Sequence, residues 1–362
     1  MWEQPHVAAQ EEAELLLEKL SNAFGPSGCE GEVCRVLART LRDQVDDLQT
    51  DALGNLIAFK RGTGPEPRLK VMIDAHTDEV GLMITRIEKN GLLGFRAVGG
   101  IDDRLLLAKG VIVGEDRLRG VITAPPIHLT KPEQRQQVIK IDQLVIDVGA
   151  SSEDEAKGLV RIGDYVAFDI RFEVLGTDGL RTVKGKAFDD RMGCVVAAAL
   201  VEDRYAVDLY LSFSAQEEVG GGGARVAAFR IEPDVAFVLE GTICDDTPKK
   251  EDVSPTSELG KGPAITIMDR SFIADSRLVR LLIDTAEANG LPYQFKQPGV
   301  GGTDGGAIHL TKAGVPSVAV AVPCRYIHAP VSLASLNDLD NTVALMKAAV
   351  HALPDRWPRA GQ

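Results

Sequence analysis

Four short apolar runs decide most of what this chain can fold into. They are Leu69–Asp74 (LKVMID), Val207–Phe213 (VDLYLSF), Asp234–Leu239 (DVAFVL) and Ser317–Val322 (SVAVAV). Each is rich in β-branched or aromatic residues and reads as a buried strand. Helical patterns surround them, at Ala8–Leu20, Glu30–Val45, Met192–Asp203, Ala224–Phe229, Ser276–Gly290 and Leu336–Leu353. Buried strands interleaved with helices predict an α/β fold, a central mixed sheet flanked by helices. Open sheets of this kind hold ligands beyond the carboxyl ends of their strands.

The residues beyond those ends are the ones that matter chemically. The first run leads into Ala75-His76-Thr77-Asp78-Glu79, and the second into Ser214-Ala215-Gln216-Glu217-Glu218 followed by four glycines. The third ends at Glu240, and the fourth is followed by His328. A fifth candidate, Asp189, opens a helix beside the same sheet in Lys186-Ala187-Phe188-Asp189-Asp190-Arg191. Each has a bland reading as well. Asp189 and Asp190 suit a helix N-terminus, and Glu217-Glu218 suits a solvated turn. Together, however, two imidazoles and three carboxylates form a donor set for zinc, cobalt or manganese. Five ligands exceed one open tetrahedral site and suit two divalent ions with one carboxylate between them. Asp78, two residues after His76, stands where it could receive the second ring N–H of that histidine. Glu217, adjacent to the ligand Glu218, is then free to carry protons as a general base.

Between Val80 and Val174 the texture changes. Short strand-like runs recur about every ten residues with turn signals between them (Gly81–Ile87, Gly94–Val98, Leu106–Val113, Arg119–Ile122, Gln143–Val148 and Tyr165–Phe172), the pattern of a small β-barrel or sandwich. Ser152–Lys157 reads as a single helical turn. A chain of 362 residues exceeds one typical core. The expected organisation is a catalytic α/β domain at 1–79 and 175–362, with a β-barrel inserted at 80–174. His128 and His309 read as structural. The loop Gln297–Ala307 (QPGVGGTDGGA) lacks the Walker and GxGxxG patterns. Its Gly301, Thr303 and Asp304 are candidates for substrate contact.

Composition narrows the field. With 40 Lys and Arg against 53 Asp and Glu, the net charge is −13, which argues against nucleic-acid binding. No run approaches the length of a membrane span, and Met1–Gln10 lacks the apolar core of a secretory signal. Five cysteines without a CxxC pair read as reduced thiols. A cytoplasmic protein is expected.

Six segments, AHTDEVG (75–81), KAFDDRMG (186–193), SAQEEVGGGGA (214–224), LEGTICDDTP (239–248), GGTDGGAIHLTKAGVP (301–316) and RYIHAPVSLASLNDLDN (325–341), resemble the TET-type, or tetrahedral, and deblocking aminopeptidases. These are two-metal exopeptidases, also called glutamyl aminopeptidase-like. The resemblance implies that His76, Asp189 and Glu240 hold one metal and that Asp189, Glu218 and His328 hold the other. It also implies Asp189 bridging, Asp78 orienting His76 and Glu217 as general base. It implies a cis peptide at Asp189–Asp190, a PDZ-like barrel that helps subunits pair, short peptides as substrates, and a homo-oligomer built from dimers, up to a dodecamer. Glu240 departs from the Asp found in several members. Gly305 and Ala329 stand where Ala and Ser are expected, and Gly305 could loosen a substrate-facing loop. Three other readings stay open at this level: an N-acyl deblocking peptidase or deacylase, a glycoside hydrolase on the same scaffold, and a non-catalytic assembly protein stabilised by metal.

Overall fold

The computed structural model of the chain describes residues 7–176, 178–247 and 256–357. The four apolar runs form the middle of an 11-stranded mixed sheet. Asp208–Ser214 pairs in parallel with Lys70–His76, which pairs in parallel with Val235–Cys244, which pairs in parallel with Ser317–Arg325. Antiparallel strands extend both sides. Leu56–Lys60 and Asp47–Thr50 lie on one; Ser332–Ser335, Thr182–Gly185 and Glu173–Val174 lie on the other. Val71, Ile73, Leu211, Phe213, Phe237, Val238, Val318 and Val320 are buried between the sheet and its helices. That double burial is why these strands read as unbroken apolar runs rather than alternating ones.

Helix ends follow local chemistry. Asp275 caps the helix Ser276–Asn289 by accepting the Arg277 N–H at 2.9 Å, and Gly290 closes it at φ 66°. The helix Phe188–Ala199 is interrupted at its start, where Asp189 (φ −86°, ψ 104°) and Asp190 (φ −122°, ψ 44°) leave the helical conformation, so the regular helix begins beyond both aspartates, close to the Met192 start that the sequence pattern suggests. Two central strands run longer than their apolar cores. Val235–Cys244 continues through Glu240 because its pairing with Ser317–Arg325 persists to Cys244 opposite Arg325.

A second core lies in a closed barrel of six antiparallel strands. These are Gly81–Ile87, Leu93–Val98, Val145–Asp147, Leu118–Thr123, Gly110–Val113 and Tyr165–Phe168 in order around the barrel. Leu82, Ile84, Phe95, Val111, Ile122, Ile146, Val166 and Phe168 fill it. Closure leaves no free edge, so even a sheet this small can stand as a unit. The strand expected at Leu106–Val113 starts only at Gly110. Leu106 is buried in the barrel core, and Ala108 takes a left-handed turn at φ 64° that breaks the extended backbone. Ser152–Lys157 becomes the helix Glu153–Leu159, capped by the Ser152 hydroxyl accepting the Glu155 N–H at 3.3 Å. The sequence reads 245–261 as a loop, of which 248–255 lie outside the described residues.

Candidate metal centre

Sheet register brings the first two candidate ligands level. Ser214 pairs with His76, and Val238 pairs with Asp74. Side chains alternate with period two, so Glu240 and His76, each two residues further on, sit at one level on one face. His76 Nε2 lies 3.6 Å from Glu240 Oε2.

Asp189 completes the cluster from the start of its helix. Its Oδ1 is 3.3 Å from His76 Nε2 and its Oδ2 is 3.6 Å from His328 Nε2. One carboxylate thus turns an oxygen toward each imidazole. Glu218 Oε2 lies 3.3 Å from His328 Nε2. The Asp189–Asp190 peptide is cis. Gly241 makes the close approach possible, since a Cβ there would lie 2.7 Å from Asp189 Cα.

The second nitrogen of each imidazole is held from outside the cluster. His76 Nδ1 is 3.3 Å from Asp78 Oδ1. His328 Nδ1 is 2.8 Å from the Gly100 carbonyl, just beyond a barrel strand. These partners fix which nitrogen of each ring faces inward. Asp78 does more. Fully buried, it accepts the Ser27 hydroxyl at 2.5 Å and the backbone N–H groups of Glu217 at 3.0 Å and Glu218 at 3.1 Å. Beneath it the buried Arg191 guanidinium donates to the carbonyls of Thr77, Asp78 (3.1 Å) and Leu20 (3.2 Å).

The donor set fits divalent cations. Burial pushes Glu217 and Glu218 up to about 8, and it pushes Glu240 and Asp190 well above the ordinary carboxylate range. Burial alone would lower His328, but the Asp189 and Glu218 carboxylates outweigh it and raise the ring to about 9. Asp190 Oδ2 and Glu240 Oε1 are buried without a hydrogen-bond partner, and His76 Nδ1 has only its 3.3 Å ion-pair contact with Asp78. Carboxylates crowded this closely stay ionised together only beside compensating positive charge. Two groups of candidate ligand atoms lie within 4.8 Å of one another: His76, Asp189 and Glu218, and His76, Asp190 and Glu240.

A cavity of about 750 Å³ opens over the cluster, lined by Asp189, Glu217, Glu218, Glu240, His328 and residues of three loops. Gly301 and Thr303 belong to its wall. Asp304 does not face it in this way. It is buried, and its carboxylate accepts the Ser214 hydroxyl at 2.8 Å, beneath the strand end. Gly305 is also buried, with no room for a Cβ beside the Phe272 ring (2.6 Å), so it packs its loop tightly rather than loosening it. His128 is exposed, and His309 Nδ1 contacts the Gly305 carbonyl at 2.8 Å.

Four residues of the site are not legible as such in the sequence: Asp190, Ser27, Gly100 and Lys296. Asp190 reads there only as a helix cap, and it does accept the Gly193 N–H at 2.9 Å. Its carboxylate also lies within 4.8 Å of candidate ligand atoms on His76 and Glu240. Ser27 and Gly100 act from distant loops and carry no local signal.

A helix-flanked mixed sheet, a separate closed barrel, and a carboxylate- and histidine-lined cavity at the carboxyl ends of parallel strands together describe an α/β metallopeptidase. The family model of the M42 glutamyl aminopeptidases matches residues 54–345, and the chain belongs to that family. It is 34% identical to the lysyl aminopeptidase of Pyrococcus furiosus, over 93% of this chain and 96% of that one. A TET aminopeptidase from a marine sediment Thaumarchaeota archaeon superposes with a TM-score of 0.90 at 35% identity, covering 95% of this chain and 97% of that one. The Pyrococcus horikoshii TET1 peptidase, which can assemble into a tetrahedron or a large octahedral shell, superposes at 0.81 with 37% identity, covering 93% and 99%. Among the described residues no helix is long and apolar enough to cross a membrane.

Proposed function

We propose that this chain is a two-metal aminopeptidase that releases N-terminal residues from short peptides. The carrying observation is Asp189, with one oxygen 3.3 Å from His76 Nε2 and the other 3.6 Å from His328 Nε2. His76, Asp189 and Glu240 would hold one ion, and Asp189, Glu218 and His328 the other, as Zn²⁺, Co²⁺ or Mn²⁺. Ions bound there polarise the scissile carbonyl and make a water acidic enough to attack near neutral pH.

The chain's own groups do the rest. Glu217 faces the cavity and takes the proton of the attacking water, then delivers it to the leaving amine. Its carboxyl is lifted to about 8 by burial, and cations nearby would bring it back toward the range of a working base. Asp78 holds His76 in one tautomer and fixes the backbone of Glu217 and Glu218. Gly301 and Thr303 contribute wall to the substrate cavity.

The barrel, with Val121, Leu129 and Ile162 exposed, would serve as the dimerisation domain of a larger homo-oligomer acting in the cytoplasm. Light scattering checks the assembly, and a monomer would exclude it. The relatives' names include both lysyl and glutamyl aminopeptidases, so names do not choose the first residue for this chain.

The test is release of single residues from peptides with free and acetylated N-termini, before and after chelation and after restoring Zn²⁺ or Co²⁺. Metal-dependent release from free N-termini alone supports the reading. Release from acetylated peptides alone moves it to deblocking, and metal-independent hydrolysis removes it.

A further inference from the structure

The turn between Ser214 and Gly221 carries both Glu217 and Glu218, and its two ends close on one side chain. Ser214 ends the strand Asp208–Ser214, and its buried hydroxyl donates to Asp304 Oδ2 at 2.8 Å. Gly221 caps the helix Gly222–Ile231 at φ 67°, and Asp304 Oδ1 packs so closely on it that a Cβ there would lie 3.0 Å away. The middle of the turn hangs on Asp78, through the N–H groups of Glu217 and Glu218. Asp78 thus ties the turn to His76, while Asp304 ties it to a different part of the site.

That part is the wall of the cavity. Gly301, Gly302 and Thr303 line it, and Asp304 is the next residue. The loop is pinned here. The Thr303 hydroxyl donates to Asp269 Oδ2 at 3.0 Å, and the Arg270 N–H donates to the Gly301 carbonyl at 2.8 Å. The Asp304 carbonyl accepts the Ala307 and Ile308 N–H groups at 3.0 and 2.9 Å. Asp304 is only 2% exposed and belongs to neither proposed ligand set. A second carboxylate, Asp74, places its Oδ2 3.3 Å from the same Ser214 hydroxyl. Burying two carboxyl groups around one hydroxyl is costly, and neither metal binding nor substrate contact accounts for Asp304.

We propose that Asp304 is a positioning residue for the general base. The inference rests on the reading of Glu217 as that base. One carboxylate joins the wall against which a peptide lies to the turn that presents Glu217, so the Asp304–Ser214 contact sets the distance from bound peptide to base. A displacement of about 1 Å in a reacting group can cost about 10²-fold in rate. Loss of the contact therefore appears in kcat, while KM and metal content change little.

The experiment measures residue release from a peptide with a free N-terminus by the metal-loaded enzyme, with single-turnover rates, KM and metal content, for D304A, D304N and S214A. Each is made in the wild type and in the E217Q background. D304A should lower the rate by roughly 10–100-fold. S214A, a smaller change that leaves the Asp304 loop intact, should lower it in the same sense. D304N keeps an oxygen that accepts the Ser214 hydroxyl and should recover most of the loss. In E217Q, D304A and S214A should each cost less than about twofold, because a group that acts through Glu217 has nothing left to position. The same loss in both backgrounds, a D304N as slow as D304A, or unchanged rates in both D304A and S214A would overturn the proposal and leave the aminopeptidase reading intact. Full activity in E217Q would remove Glu217 as base, and this proposal with it. A wild type that releases no residue would overturn the aminopeptidase reading itself.

Discussion

The Asp78 carboxylate accepts the backbone N–H of Glu217 at 3.0 Å while the same oxygen, Oδ1, lies 3.3 Å from His76 Nδ1. One side chain therefore ties the end of the Lys70–His76 strand to the turn after Asp208–Ser214 and sets both a proposed ligand and the proposed base. Asp78→Ala should weaken metal binding by roughly 10–100-fold, the usual effect of removing a partner that orients a ligating histidine. It should also lower kcat at saturating metal, because Glu217 loses its backbone anchor. Ser27→Ala removes only the 2.5 Å hydroxyl contact to Asp78 and should do less of both. Calorimetric titration of Zn²⁺ with kinetics at saturating metal separates the effects. A D78A enzyme with unchanged kcat would show that the Glu217 anchor is unimportant.

Glu217→Gln tests the division of labour between the adjacent glutamates. The amide keeps size and loses the proton-carrying group, so turnover should fall by about 10²–10⁴-fold, the usual contribution of general acid–base catalysis. Metal stoichiometry should be unchanged, because Glu217 belongs to neither proposed ligand set. Glu218→Gln should instead weaken metal binding. Metal content by emission spectroscopy beside single-turnover rates distinguishes the two, and substantial activity in E217Q would remove Glu217 from its role.

The sheet and most of the cluster are legible in the sequence because both follow from local rules. Short apolar runs announce buried parallel strands, and a strand's carboxyl end is where a ligand is read. His76 and Glu218 follow directly. Glu240 is legible as a residue but not as a position, since only pairing with Ser317–Arg325 shows that its strand runs on to Cys244. What stays hidden acts across long separations. The Gly100 carbonyl reaches His328 from 228 residues away, and Ser27 reaches Asp78 from 51. Asp304 misleads for a related reason. A glycine-rich loop suggests exposure, while the Ser214 hydroxyl at the end of its strand holds this carboxylate in the interior. Lys296 gives no signal at all, because a lysine next to a strand reads as a solvated edge until the fold buries it.

Gly241 offers a steric test of the centre that touches no ligand side chain. Gly241→Ala would place a methyl 2.7 Å from Asp189 Cα, against backbone that cannot rotate away. Lower Tm and weaker metal binding are expected together, because the Asp189 segment must shift. Gly222→Ala is the control. Gly222 is exposed and opens the helix Gly222–Ile231, and a Cβ there would meet no atom within 4 Å, so the change should be neutral or slightly stabilising. Equal Tm values for the two variants would mean that the Asp189 backbone yields freely.

The crowded carboxylates also set how the metal-free protein responds to pH. Glu217 and Glu218 rise from an ordinary 4.5 to about 8 in the fold, and burial is the principal cause. An acid whose folded pKa is raised stabilises the fold below its unfolded pKa and loses that contribution as pH climbs through the folded value. His328, raised from 6.5 to about 9 by its carboxylate neighbours against the pull of burial, acts in the same direction at higher pH. Chelated protein should therefore lose thermal stability steadily between about pH 5 and 8 and go on losing it toward 9. Divalent ions favour the ionised carboxylates and neutral imidazoles, so saturating Zn²⁺ should raise Tm most at the alkaline end and flatten the profile. Differential scanning calorimetry across this range, with and without chelator, makes the comparison. A metal-independent profile would mean that these groups do not hold the ion.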